Sequence, residues 1–249
     1  MIRPNIRKAT TLLLLFLLFS ATGKASAASL SFYQQQVYKA YISDDMELWK
    51  STMEQMNSEI NISDKFLLHL TITQYGYIGY LIGNKQKDTA KELLDNTRKN
   101  AKKLSKTHYN TEAYALMAGL NGYEIGLAKH KAPFLGKKSE QFIDKSLDIS
   151  KVNPMAWTEK GNIYYHMPGF FGGSYEKAID YYTKAVRYFN KTPYLPQWLK
   201  LNALVWLGKS YEANGQLNKA LQTYKKALET EPDFNWVKND LYPKLLNKM

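Results

Sequence analysis

Residues 201 to 234 carry a 34-residue pattern that a pair of packed helices can use and a sheet cannot. Leu204, Leu207, Gly208 and Tyr211 recur at three- and four-residue steps. Nine positions after Tyr211 the same rhythm resumes with Ala220, Tyr224 and Ala227, and Pro232 closes the set. That spacing puts each group on one face of a helix, with room for a short turn between them. The small residues Gly208 and Ala220 let the helices approach closely, Tyr211 and Tyr224 fill the seam, and Pro232 ends the second helix. Apolar residues at helical spacing continue back to Phe32 with no sustained alternation, so the chain reads as all helical.

The pattern returns upstream. Trp157, Gly161, Tyr164, Ala178, Tyr182 and Ala185 match Leu204, Gly208, Tyr211, Ala220, Tyr224 and Ala227, but 14 positions separate Tyr164 from Ala178, so five residues are inserted into the turn. The inserted turn runs from His166 through Pro168, Phe170, Phe171, Gly172 and Gly173 to Ser174, which is placed to cap the next helix. A hairpin from Ser63 to Leu104 repeats the spacing with Leu81, Ala90, Leu94 and Thr97, turning near Gly83 to Lys87. A further pair, Tyr109 to Ile149, is expected to have a long connection from Lys131 to Lys138, where Pro133 and Gly136 interrupt helix and Phe134 and Leu135 tuck into the hairpin. A first, weaker pair breaks near Ser43 to Asp45, with Asp44 or Asp45 as cap. Pro193 and Pro196 mark a linker, and Asn235 to Leu246 supply a last helix.

These spacings resemble the tetratricopeptide repeat (TPR), with one complete copy at 201–234. The run from Asn153-Pro154 through Trp157, Gly161, Pro168, Phe171-Gly172-Gly173, Ala178 and Ala185 is similar to exported bacterial TPR proteins of Bacteroidota that carry a Pro-x-x-Phe-Gly-Gly turn. A more distant likeness is to the TPR subunits that accompany TRAP-type solute transporters. The resemblance implies an α-solenoid of about five antiparallel hairpins with a C-terminal capping helix. Its expected divisions are a signal peptide at 1–27, TPR-like hairpins at 28–107, and TPR hairpins with the inserted turn 166–174 and the cap at 108–249. Stacked repeats bury their core between neighbours and leave a concave face for binding.

The first residues have the layout of a secretory signal: Arg3, Arg7 and Lys8, then an apolar run from Leu12 to Phe19, then Ala25-Ser26-Ala27. That run is well short of the roughly 20 residues a spanning helix needs. Export to the periplasm or beyond the cell is expected, with no membrane span after cleavage. The chain has no cysteine, which excludes disulfides, thiolate metal sites and a lipid-bearing cysteine. Four basic residues precede position 28, so the net charge of +12 falls to +8 in the exported part. The lysines, such as Lys85, Lys87, Lys91, Lys99, Lys102, Lys103 and Lys106, are scattered along helices as a solvated face, so no nucleic-acid partner is expected.

In TPR proteins the groove-facing positions lie on the first helix of each hairpin. The resemblance places them at Met155, Thr158, Asn162, Tyr165 and His166, and at Asn202, Val205, Lys209, Glu212 and Ala213. Asn162, Tyr165, His166, Asn202 and Lys209 form the candidate binding set, since amides, an aromatic and a cation suit a peptide's backbone or carboxylates. The expected partner is a protein or peptide; a small ligand, or a solute-binding protein docked by a transport accessory, is the alternative. The four histidines lack helical metal-site spacing, the carboxylates fit caps and exposed faces, and no nucleophile elbow or phosphate loop occurs. No catalytic residue, metal or cofactor is expected. Phe170 and Phe171 read either as a recognition tip that a partner covers or, the favoured expectation, as a plug against the next hairpin, in which case Phe171→Ala would cost more stability than binding.

Overall fold

Short polar caps followed by helical apolar stripes set the element order. The computed structural model describes residues 29–249, and the expected signal segment, 1–27, falls outside the described residues. The helices are α1 (Leu30–Ser43), α2 (Met46–Ser58), α3 (Asp64–Gly83), α4 (Lys87–Leu104), α5 (Asn110–Leu127), α6 (Ala132–Ile149), α7 (Pro154–His166), α8 (Tyr175–Phe189), α9 (Gln197–Ala213), α10 (Leu217–Thr230) and α11 (Tyr242–Leu246). A wider π-type turn, Trp236–Leu241, leads directly into α11. No strand occurs among the described residues.

Side-chain caps start several of these helices. Asp45 accepts from the Leu48 amide at 2.9 Å, Ser63 from Phe66 at 3.2 Å, and Ser174 from Lys177 at 3.2 Å. Asn153 accepts from the Met155 amide at 2.9 Å while Pro154 fills the first helical position, where no amide hydrogen is needed. The expected interruption between Lys131 and Lys138 does not occur. Pro133 lies in the first turn of α6, where proline is well tolerated, and Gly136 is carried inside the helix, so the connection shrinks to a single tight turn at Lys129–Lys131. Leu135 is buried as expected, whereas Phe134 is 71% exposed.

The helices pair as hairpins α1–α2, α3–α4, α5–α6, α7–α8 and α9–α10, and successive hairpins stack through α3, α5 and α7 and through α8 against α9. Close approach inside a hairpin depends on glycine. A Cβ at Gly208 would lie 2.3 Å from Tyr224 Cε1, and Tyr224 is fully buried beneath it. The end is covered by Phe234, Val237 and Leu245, all fully buried, which places the π turn and α11 as the terminal cap.

The first hairpin does more than extend the stack. Tyr41 of α1 packs against Trp49, Trp198 and Phe234 with ring centroids 5.9, 5.3 and 5.2 Å away, and Trp49 meets Trp198 at 5.0 Å. Residues far apart in sequence are thereby joined, and the inner faces of α3, α5, α7 and α9 are largely occupied by the chain's own side chains. No described helix is long and apolar enough to cross a membrane.

Candidate functional site

The five residues expected to line a groove divide into two groups. Asn162 is used internally: its Oδ1 accepts from Tyr182 Oη at 2.6 Å and its Nδ2 donates to Glu159 Oε2 at 3.0 Å. Glu159 also accepts from Tyr75 Oη at 2.7 Å, and burial raises its carboxyl pKa to about 7 against the hydrogen bonds that favour its anion. Asn202 is likewise committed, accepting from Tyr41 Oη at 3.2 Å beneath the first hairpin. Met155, Thr158 and Val205 are buried. The inner face at these positions is therefore core: Tyr41 of α1 covers Asn202 on α9, while Tyr182 of α8 and Tyr75 of α3 hold the Asn162–Glu159 pair on α7.

Tyr165, His166 and Lys209 do come together, around Trp206. Tyr165 and His166 end α7, and their rings each lie 5.1 Å from Trp206 in edge-on geometry. Tyr175, the first residue of α8, adds its ring 5.5 Å from Tyr165. Lys209, one turn after Trp206 on α9, places Nζ 4.9 Å from the Trp206 ring centroid and 5.8 Å from that of Trp236. Burial lowers the Lys209 pKa, opposed by Glu212 and Asp240. Burial and then the Lys209 ammonium lower that of His166, which favours the neutral imidazole, whose ring nitrogens can donate and accept.

Trp236 also forms one wall of an open cleft of about 420 Å³, lined by Ser43, Asp44, Asn235, Asn239 and Asp240. The patch thus continues from aromatic rings and one cation to a cleft with two carboxylates, at the junction of α1 and the C-terminal cap. Trp206, Tyr175 and Trp236 were not singled out from the sequence. Trp206 carried a usable signal, since it stands three positions before Lys209 on the same helix face. Among the described residues, no group of three histidines, cysteines or carboxylates is placed to hold a metal ion.

The inserted turn corrects the plug expectation. Phe170 and Phe171 are 88% and 68% exposed, with ring centroids 4.2 Å apart and neither ring packed under the next hairpin. The backbone explains why. Phe171 and Gly173 both donate to the Pro168 carbonyl, at 2.9 and 3.2 Å, and Gly172 donates to Gly169 at 2.9 Å. Gly172 has φ +100°, and a Cβ at Gly173 would stand 1.8 Å from the Met167 carbonyl oxygen, so only glycine allows this turn. It is a hydrogen-bonded frame that directs both rings outward.

Comparison with known proteins agrees with this architecture. Residues 201–234 match the tetratricopeptide repeat family. Residues of this chain are 31% identical over 101 positions to the photosystem I assembly protein Ycf3 of Prochlorococcus marinus subsp. pastoris, covering 37% of this chain and 56% of that protein. The Ycf3 of a Synechococcus species is 28% identical over 104 positions, covering 39% and 57%. The chain therefore spans about half the length of the curated relatives it matches. Among solved structures, the HusA haemophore from Porphyromonas gingivalis is similar with a TM-score of 0.60 at 15% identity, covering 77% of this chain and 96% of that one. A thermophilic TPR protein of Thermus thermophilus is similar with a TM-score of 0.61 at 14% identity, covering 88% of this chain and all of that one. The protein is an all-α, TPR-like solenoid that carries a tetratricopeptide repeat at residues 201–234.

Proposed function

We propose that this protein is an exported, non-enzymatic scaffold, periplasmic or secreted, that binds a protein or peptide at the patch formed by Tyr165, His166, Trp206 and Lys209. The observation that carries this reading is the meeting of those four side chains on one partly exposed surface, with Trp236 leading from it to the cleft beside Asp44 and Asp240. Aromatic rings give contact area at low entropic cost, Lys209 and His166 give hydrogen bonds to carboxylates or backbone amides, and the cleft carboxylates receive a cationic side chain. The repeat itself is a protein-interaction architecture, and the Ycf3 relatives are named as assembly proteins. Binding is confined to this end because Asn162 and Asn202 are engaged inside the fold. Crosslinked capture from the native cell envelope tests this. One protein enriched by wild type and lost with Tyr165→Ala/Lys209→Ala is the expected result; equal capture by both removes the patch from the function.

A small ligand is the second reading, and the same rings favour it: a flat anionic molecule stacks on Trp206 and Tyr165 while Lys209 meets its charge. The haemophore of similar fold makes a porphyrin the first ligand to try. Hemin titration followed by Trp fluorescence tests it, with quenching lost in Trp206→Phe as the expected result. A transport accessory that docks a solute-binding protein would instead show as a single enriched solute-binding protein in the capture.

A further inference from the structure

The exposed phenylalanines of the inserted turn are held out by the fold, and their surroundings are basic. Turns joining the two helices of each hairpin emerge along one edge of a solenoid, so the turn at 167–174 lies on the same edge as the start of α6. On that edge Phe134 is 71% exposed, and in the neighbouring hairpin Phe170 and Phe171 are 88% and 68% exposed. The same ends carry Lys129, Lys131, Lys137, Lys138 and Lys177. Lys138 Nζ stands 5.8 Å from the Phe134 ring centroid, and Lys177 Nζ stands 5.0 Å from that of Tyr164, whose carbonyl accepts from the Ser174 amide at the base of the turn. The carboxylates at these ends are Glu124, Glu140, Glu176 and Asp180, and Glu124 is already bonded to Arg98 and Lys131 at 2.6 Å each.

We propose that this edge docks on an anionic lipid bilayer, with Phe170 and Phe171 inserted at headgroup level, Phe134 on the same edge, and the lysines on lipid phosphates. Three considerations select this occupant. The rings stand on a projecting tip, a shape that enters a soft interface and leaves no cavity for a partner's side chain. Phenyl rings have no polar atom to set a register, whereas insertion needs only apolar area. An edge rich in lysine repels a second copy of itself and attracts anionic headgroups. Neither element suffices alone, since durable attachment of a protein without a spanning helix takes an apolar anchor together with a basic patch. Each lysine near an anionic surface strengthens attachment about fivefold, and salt weakens that share.

Vesicle sedimentation tests the proposal with the chain from Ala28, which holds every residue of the described core and lacks the apolar leader. The probes are vesicles of phosphatidylcholine alone and of phosphatidylcholine mixed with phosphatidylglycerol. Wild type is expected to bind the mixed vesicles at least about tenfold more tightly, and less so as salt rises. Phe170→Ser/Phe171→Ser is expected to lose about tenfold or more on mixed vesicles at an unchanged melting temperature, and Lys137→Gln/Lys138→Gln to lose less and to flatten the salt dependence. Absence of wild-type binding to mixed vesicles, or equal binding by the Phe variant, overturns the proposal. So does a wild-type dimer in sedimentation velocity that the Phe variant dissolves, which would assign the tip to self-association. Loss of protein capture by that variant with vesicle binding intact would assign it to a protein partner and overturn it equally.

Discussion

Tyr38 donates its hydroxyl to Glu231 Oε2 at 2.8 Å across 193 positions of chain. With Asn235 Nδ2 on the Ser43 carbonyl at 3.0 Å, this bond ties the first hairpin to the end of the last. Removing the hydroxyl leaves Glu231 to water, because that carboxylate is only partly buried. Tyr38→Phe is therefore expected to cost about 1 kcal/mol. Hydrogen exchange should speed up together in α1 and in Trp236–Leu246. Faster exchange in α1 alone would show that the two ends are not coupled.

Two buried groups give stability opposite dependences on pH. Glu159 has its pKa raised from 4.5 to about 7 by burial, so the unfolded chain releases its proton first. Its effect is a loss of stability that grows as pH rises from 4.5 to about 7 and is constant above. His69, buried beside Gln34, has its pKa lowered from 6.5 to about 4 by burial and then by Lys65. Its effect is a loss that grows as pH falls from 6.5 to about 4. Each spans about 3 kcal/mol, and the two oppose one another between pH 4.5 and 6.5. Urea unfolding should show Glu159→Gln gaining stability with pH across that window and His69→Gln losing it. Parallel curves for both variants and wild type would refute the assignment.

Two glycines on comparable helices should respond with opposite sign to alanine. Gly208→Ala drives a methyl into the Tyr224 ring and should cost about 1 to 3 kcal/mol. Gly122→Ala meets nothing within 4 Å on the exposed side of α5 and should gain about 0.5 to 1 kcal/mol from helix propensity. Thermal unfolding of the pair checks both, and a shift of the same sign in each would contradict the packing described.

Phe171→Ala should leave stability within about 0.5 kcal/mol, since the ring is 68% exposed and packs chiefly on Phe170. A loss of several kcal/mol would restore the plug that the turn geometry excludes.

The hairpins were legible because their signal is local. Gly161 with Tyr182 and Gly208 with Tyr224 are contacts that a repeat encodes at fixed spacing, and caps such as Asp45 and Ser174 stand next to the helices they start. Pro133 misled because proline in a first helical turn ends nothing. The groove residues were harder. Asn202 is occupied by Tyr41 from 161 positions away, and no periodicity within either helix announces that α1 returns against α9. Phe170 and Phe171 were read through the general cost of exposed rings, while their position depends on the Met167 carbonyl oxygen, which excludes any Cβ at residue 173.

The proposed binding patch is most directly tested by photocrosslinking in native cells, with a benzophenone side chain in place of Tyr165 and, separately, of Tyr181, which stacks on Trp157 instead of Trp206. A partner adduct from position 165 that is absent from position 181 and lost when Lys209→Ala is added is the predicted result. An adduct from position 181 alone, or one from 165 that Lys209→Ala leaves intact, would contradict it.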